Sequence, residues 1–167
     1  MDQAFITEKL VEWMKSFVEQ PNAKLGNWAP CPYARAARID NKIEIMFCDI
    51  DDPLPTIHDG VKSLTNRDVA VIAFDHTLIA VEDLLDFVAD VNKVMMPRGY
   101  VVLEDHPDAE ELVAGVKMNF GFCGLLILQK LDKLNNAADI LRNKGYYDNW
   151  DQESIDAVVA WRYNNES

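Results

Sequence analysis

Apolar residues recur three and four apart at Ile6, Leu10, Trp13, Met14, Phe17 and Val18, which predicts an amphipathic helix over 5–18 that stops before Pro21. The period then changes. Ile43, Ile45 and Phe47 alternate with Glu44 and Met46, the pattern of a half-exposed strand. Helical spacing returns at Ile57, Val61 and Leu64, and Val69–Phe74 is apolar at every position, as a strand covered on both faces requires. Val81, Leu84, Leu85, Val88 and Val91 form one stripe of a helix within Leu78–Met95, stopped by Pro97 and Gly99. Two more strands follow, Tyr100–Leu103 and Phe122–Leu128. Asp132 is the expected cap of a helix on Leu134, Ala137, Ala138 and Leu141 that ends at Gly145. A last helix over Gln152–Tyr163 buries Ile155, Val158 and Val159.

This order predicts an α/β or α+β fold: one four-stranded mixed, mainly parallel sheet covered by about five helices. A single domain spans 1–167, with 21–41 an irregular connector after the first helix. The C-terminal Tyr146, Tyr147, Trp150, Trp161 and Tyr163 are expected to seal the sheet.

Composition narrows the function. With 28 Asp+Glu against 16 Lys+Arg, a net charge of −12 and 49% hydrophobic residues, the chain reads as globular. That charge argues against direct binding to nucleic acid or an anionic membrane, which would need clustered Lys and Arg. The longest nearly apolar stretch, Phe120–Leu128, falls far short of the roughly 20 residues of a membrane span. Asp2, Glu8 and Lys9 interrupt the N-terminal apolar residues, so no secretion signal is read. Cys31, Cys48 and Cys123 are odd in number and widely spaced, favouring reduced thiols and a soluble cytoplasmic protein.

Acidic residues follow each of the first three strands: Asp49, Asp51 and Asp52; then Asp75-His76; then Glu104-Asp105-His106-Pro107-Asp108, with Glu110 and Glu111 beyond. If these strands run in one direction, their carboxyl ends share an edge, where open sheets bind ligands. His106 is then the candidate acid or base, with Asp75 and Asp108 as catalytic partners; Asp49, His76 and Glu104 are candidate metal ligands. The structural alternative is that these acids cap helices and set turns. Cys31, held between Pro30 and Pro32, is a candidate nucleophile if Arg35 and Arg38 face it and lower its pKa; a buried structural Cys is the competing reading.

Cys31-Pro32-Tyr33-Ala34 after an amphipathic helix, His106-Pro107-Asp108 after a strand, and the strand-to-helix segment Leu125–Leu141 together resemble an uncharacterised bacterial family with Cys-Pro-Phe-Ala and His-Pro-Asp segments. The likeness covers most of the chain. Tyr33 replaces the Phe, and Asn119–Gly124 departs from the pattern. The resemblance implies no established activity; it singles out Cys31, His106 and Asp108.

The function expected is a small soluble cytoplasmic enzyme acting on a polar small molecule at an acidic/His site at the strand ends. A divalent metal ion is the cofactor of its metal-assisted form. The alternative is an acidic interaction or inhibitor protein without catalysis, a nucleic-acid mimic or regulatory module. Expected partners are the small molecule, a second copy of the chain or a basic protein.

Overall fold

A computed structural model describes residues 1–163; the last four residues of the expected 1–167 domain lie outside the described residues. The first helix, α1 (Gln3–Trp13), is capped by Asp2, whose carboxylate accepts the Phe5 N–H. Its apolar period carries on through wider turns over Met14–Val18, where the Glu19 N–H reaches back to the Met14 carbonyl. The connector contains a short α2 (Ala34–Ile39). Then come β1 (Ile43–Phe47), α3 (Leu54–Ser63), β2 (Val69–Phe74), α4 (Val81–Met95) and β3 (Tyr100–Asp105). A hairpin of β4 (Leu112–Val113) and β5 (Val116–Lys117) precedes β6 (Gly124–Lys130), α5 (Leu131–Asn143) and α6 (Gln152–Val158).

The main sheet has the order β1-β2-β6-β3. Strands β1 and β2 pair in parallel, and β6 is antiparallel to both β2 and β3. The sheet is therefore mixed as expected, but one of its three pairings is parallel, so "mainly parallel" is corrected. The reason lies in residues 106–123, which contain no helix. A parallel neighbour needs a crossover of a dozen or more residues, usually helical, whereas a non-helical return delivers the strand antiparallel. The two-stranded β4–β5 sheet within that return was not expected. Asp132 sits in the first turn of α5; the cap position is Lys130.

Alternation along the strands divides the core by face. Ala70, Ile72, Phe74, Val102, Leu126 and Leu128 pack under Ile57 of α3, Leu64 at its C-terminal cap, and Leu84 and Val88 of α4. On the other face, Ala73 and Leu125 meet Ile6 and Leu10 of α1, and Val101 meets Leu131 of α5 beside Trp161. Cys123 is buried in this second core, and Cys48 packs against the first. Tyr146, Tyr147 and Trp150 do not seal the sheet. They cluster with one another and with Trp28 of the connector, and the Tyr146 hydroxyl donates to the Pro30 carbonyl over 2.5 Å.

Phe74 and Gly124 are ladder partners, and a Cβ at Gly124 would overlap the Cε and Cζ carbons of the fully buried Phe74 ring. Gly124→Ala is therefore expected to destabilise the fold by about 2 kcal/mol through overpacking. Urea unfolding checks this, and an unchanged midpoint would show that the ring can move aside.

Candidate functional site

Because β2 and β3 are both antiparallel to β6, and β1 is parallel to β2, strands β1, β2 and β3 all point the same way. Their carboxyl ends share one edge, as the sequence pattern required. The insertion of β6 spreads them apart. At about 4.8 Å per strand, the ends of β1 and β3 stand roughly 14 Å apart along the sheet.

That spacing separates the expected residues into groups. Asp49 is exposed and accepts the Asp51 N–H, forming a turn. Asp75 caps the short helix His76–Leu78 by accepting the Thr77 N–H and hydroxyl, and these bonds hold its carboxyl below the usual range. Both residues follow the turn-and-cap reading. Among the described residues no group of three His, Cys, Asp or Glu side chains is placed to hold a metal ion, so Asp49, His76 and Glu104 are not assembled into one. His76 does reach His106, their rings edge-on with centroids 5.6 Å apart.

His106 is buried, at 3% exposure. The Asp108 N–H donates to its Nδ1 over 3.1 Å, so the ring proton resides on Nε2, which donates to the Ile79 carbonyl over 2.9 Å. Both nitrogens are engaged, and the ring ties the end of β3 to the segment after β2. Asp108 is exposed and meets this ring through its backbone.

Cys31 stands apart, and it is not among the residues that line the cleft described below. Arg38 binds Glu19 through two bonds of 2.7 and 2.8 Å. Although Cys31 is solvent-exposed as a residue, burial around its sulfur pushes the thiol pKa up, against the pull of the Tyr33 and Ala34 N–H groups. Neither feature favours the expected activated thiolate.

The residues that do converge surround a cleft of about 740 Å³ between the end of β3, the start of α4, the loop 109–112 and α6. Glu104, Asp105 and Glu111 stand in it together. Asp105 is buried; its two oxygens accept from the Asn119 side-chain amide and the Phe120 N–H, each over 2.8 Å. Asn119 also donates to the His106 and Ala109 carbonyls over 3.2 and 2.7 Å, while its own oxygen accepts the Glu111 N–H over 2.9 Å. One amide thus fixes the acid at the end of β3 to the backbone of the acid across the cleft.

The electrostatics follow from this crowding. Burial pushes the Asp105 and Glu104 carboxyls up, with the Phe120 and Asn119 donors pulling Asp105 back. Glu111 keeps solvent access at the cleft mouth, yet lost hydration and the neighbouring Asp105 and Glu104 charges push it up to about 6. A carboxyl poised there exchanges protons near neutral pH, the property general acid–base chemistry needs.

Sequence reasoning counted Asp105 and Glu111 among the strand-end acids without assigning them a role, and it missed Asn119. A lone Asn before a glycine-rich stretch gives no pattern; its role exists only once the hairpin folds back on β3. No protein-family model, no curated protein and no solved structure matches this chain.

Proposed function

We propose that this protein is an enzyme that acts on a polar small molecule by carboxyl acid–base chemistry in the cleft at the end of β3. One observation carries the reading: Glu104, Asp105 and Glu111 share one cleft, and their carboxyls are all pushed upward. Glu111 is the group that exchanges the proton, and Glu104 stands opposite as its partner. Asp105, bound by two donors, is a fixed acceptor that orients the site. His106 is a positioning residue, and through it the His-Pro-Asp segment shapes the cleft without entering the chemistry.

The alternative of an acidic mimic of nucleic acid needs a continuous convex stripe of charge. Glu110, Glu111, Asp151 and Glu153 instead line the concave cleft, which supports the enzyme reading.

The test is a pH profile. On a panel of small polar esters, amides and glycosides, kcat/KM is expected to inflect near pH 6, where Glu111 titrates. Glu111→Gln is expected to remove that inflection and lower turnover by about 100-fold or more, the usual contribution of a general acid or base. Unchanged turnover in a folded variant, or a Glu111 carboxyl that titrates by NMR in the ordinary Glu range, would overturn the assignment.

A further inference from the structure

The walls of the cleft say more about its ligand than its acids alone. Leu84 and Leu85 of α4, Leu103 of β3, Val158 of α6 and the Trp161 indole form an apolar side. The same cleft is lined by six carboxylates, Glu104, Asp105, Glu110, Glu111, Asp151 and Glu153. No Lys or Arg lines the cleft among the described residues. None of those six carboxylates takes part in the ion pairs of the described residues, whereas Glu12, Glu19, Glu44, Asp68, Asp90 and Asp139 each have a basic partner elsewhere.

Two independent features therefore coincide. The first is a concave, largely apolar cavity of a size that small-molecule sites commonly have, about 300–1,000 Å³. The second is a negative potential, concentrated by low-dielectric walls: Lys117 eases the charge of Asp105, but no ion pair among the described residues closes on any of the six carboxylates. A neutral apolar ligand would use the first and leave the second unsatisfied. An anion would be repelled. A strongly hydrated inorganic cation would gain nothing from the leucines and the indole, and no ligand trio for one is present among the described residues. A cation carried on a hydrocarbon body uses both: its ammonium hydrogens meet carboxylates in charge-assisted bonds, and its carbon chain covers the apolar wall.

We propose that the cleft takes an organic cation, a primary ammonium on a hydrocarbon chain or ring, with its charge among Glu104, Asp105 and Glu111 and its carbon body against Leu85, Leu103 and Trp161. This deepens the acid–base reading and rests on it for the location of the site. In that setting the ammonium is the handle that orients the substrate, and Glu111 is the group left to exchange a proton with it.

The test compares three six-carbon probes by titration calorimetry at pH 7 on the full chain: hexylamine, hexanol and hexanoate. Hexylamine is expected to bind saturably and at least about tenfold more tightly than either control, the least that one charge-assisted contact is worth. Glu104→Gln and Glu111→Gln, measured separately and each checked by its melting temperature, are each expected to weaken hexylamine by about tenfold and to leave hexanol unchanged. Equal or tighter binding of hexanol or hexanoate would overturn the cationic class, and so would absence of saturable hexylamine binding or indifference to both substitutions. The probe series decides the ligand class on the wild-type chain even if a variant misfolds. It also fails separately from the pH profile: a cleft that prefers hexanol can still show the Glu111 inflection, and one that binds hexylamine can lack it.

Discussion

Asn119→Ala is expected to cost about 4 kcal/mol, because a buried polar group left without a partner costs about 1–3 kcal/mol and the substitution strands one buried and two part-buried groups at once. The Ala109 carbonyl and the Glu111 N–H lose bonds of 2.7 and 2.9 Å, and the buried Asp105 carboxylate loses one of its two donors. Ala supplies neither replacement donors nor the volume to exclude water. For a chain of this size that loss lowers the melting temperature by about 8–16 °C. The pH dependence gives a second readout. Glu104, Asp105 and Glu111 are all pushed upward in the folded protein, so the folded state holds protons that the unfolded chain has already released. Stability contributed by these groups is present at low pH and is lost as pH rises from the ordinary carboxyl range through their raised values, which for Glu111 is about 6. Without the Asn119 donor Asp105 is harder to ionise, so the penalty of Asn119→Ala should grow as pH rises above the ordinary Asp range. A loss under about 1 kcal/mol, no more than a typical single hydrogen bond, would mean that water replaces the amide and that Asn119 does not organise the cleft.

Asn92→Leu is expected to cost about 3 kcal/mol, again through stranded backbone groups rather than lost volume. Asn92 lies on the buried side of α4, and its side chain accepts the Val102 N–H and donates to the Val102 carbonyl, both over 2.9 Å. Strand β3 is an edge of the sheet, and the Asn92 amide stands where a further strand would pair. Leu matches its size and offers neither donor nor acceptor. Hydrogen exchange locates the effect: protection of the Val102 amide should collapse toward that of a locally opening edge, while amides of the β2–β6 ladder weaken only with global stability. A variant that keeps Val102 protected would show that another group closes this edge.

Much of this architecture is written in periodicity. The strands β1, β2 and β3, and the stripe of Leu84, Val88 and Val91 on α4, fall where alternation and helical spacing put them. The direction of the strands is legible too, because helices between β1, β2 and β3 act as crossovers that return the chain the same way. What alternation does not encode is the slot β6 enters. An apolar strand fits beside β3 or between β3 and β2 equally well by pattern, and its actual position adds one strand spacing, about 4.8 Å, between the ends of β1 and β3. The site is half legible for the same reason. The strand-end acids are visible as residues, but which of them share a cleft depends on the 106–123 return and on the side chain of Asn119, whose partners lie up to 14 residues away in sequence. His106 shows the limit of residue type as a guide: a histidine in the expected place spends both nitrogens on backbone.

The late arrival of β6 also sets an order of assembly. Strand β3 has β6 as its ladder partner in the main sheet, so a nascent chain that has reached only residue 123 can tie β3 through the Asn92, Ile79 and Asn119 bonds already described but lacks the ladder that joins it to β2. Residues 124–130 must then enter between two strands made before them, the kind of non-local pairing that slows folding. The cleft also takes Asp151, Glu153 and Trp161 from beyond β6, so its six carboxylates are gathered only once the described C-terminal segment has packed back against β3.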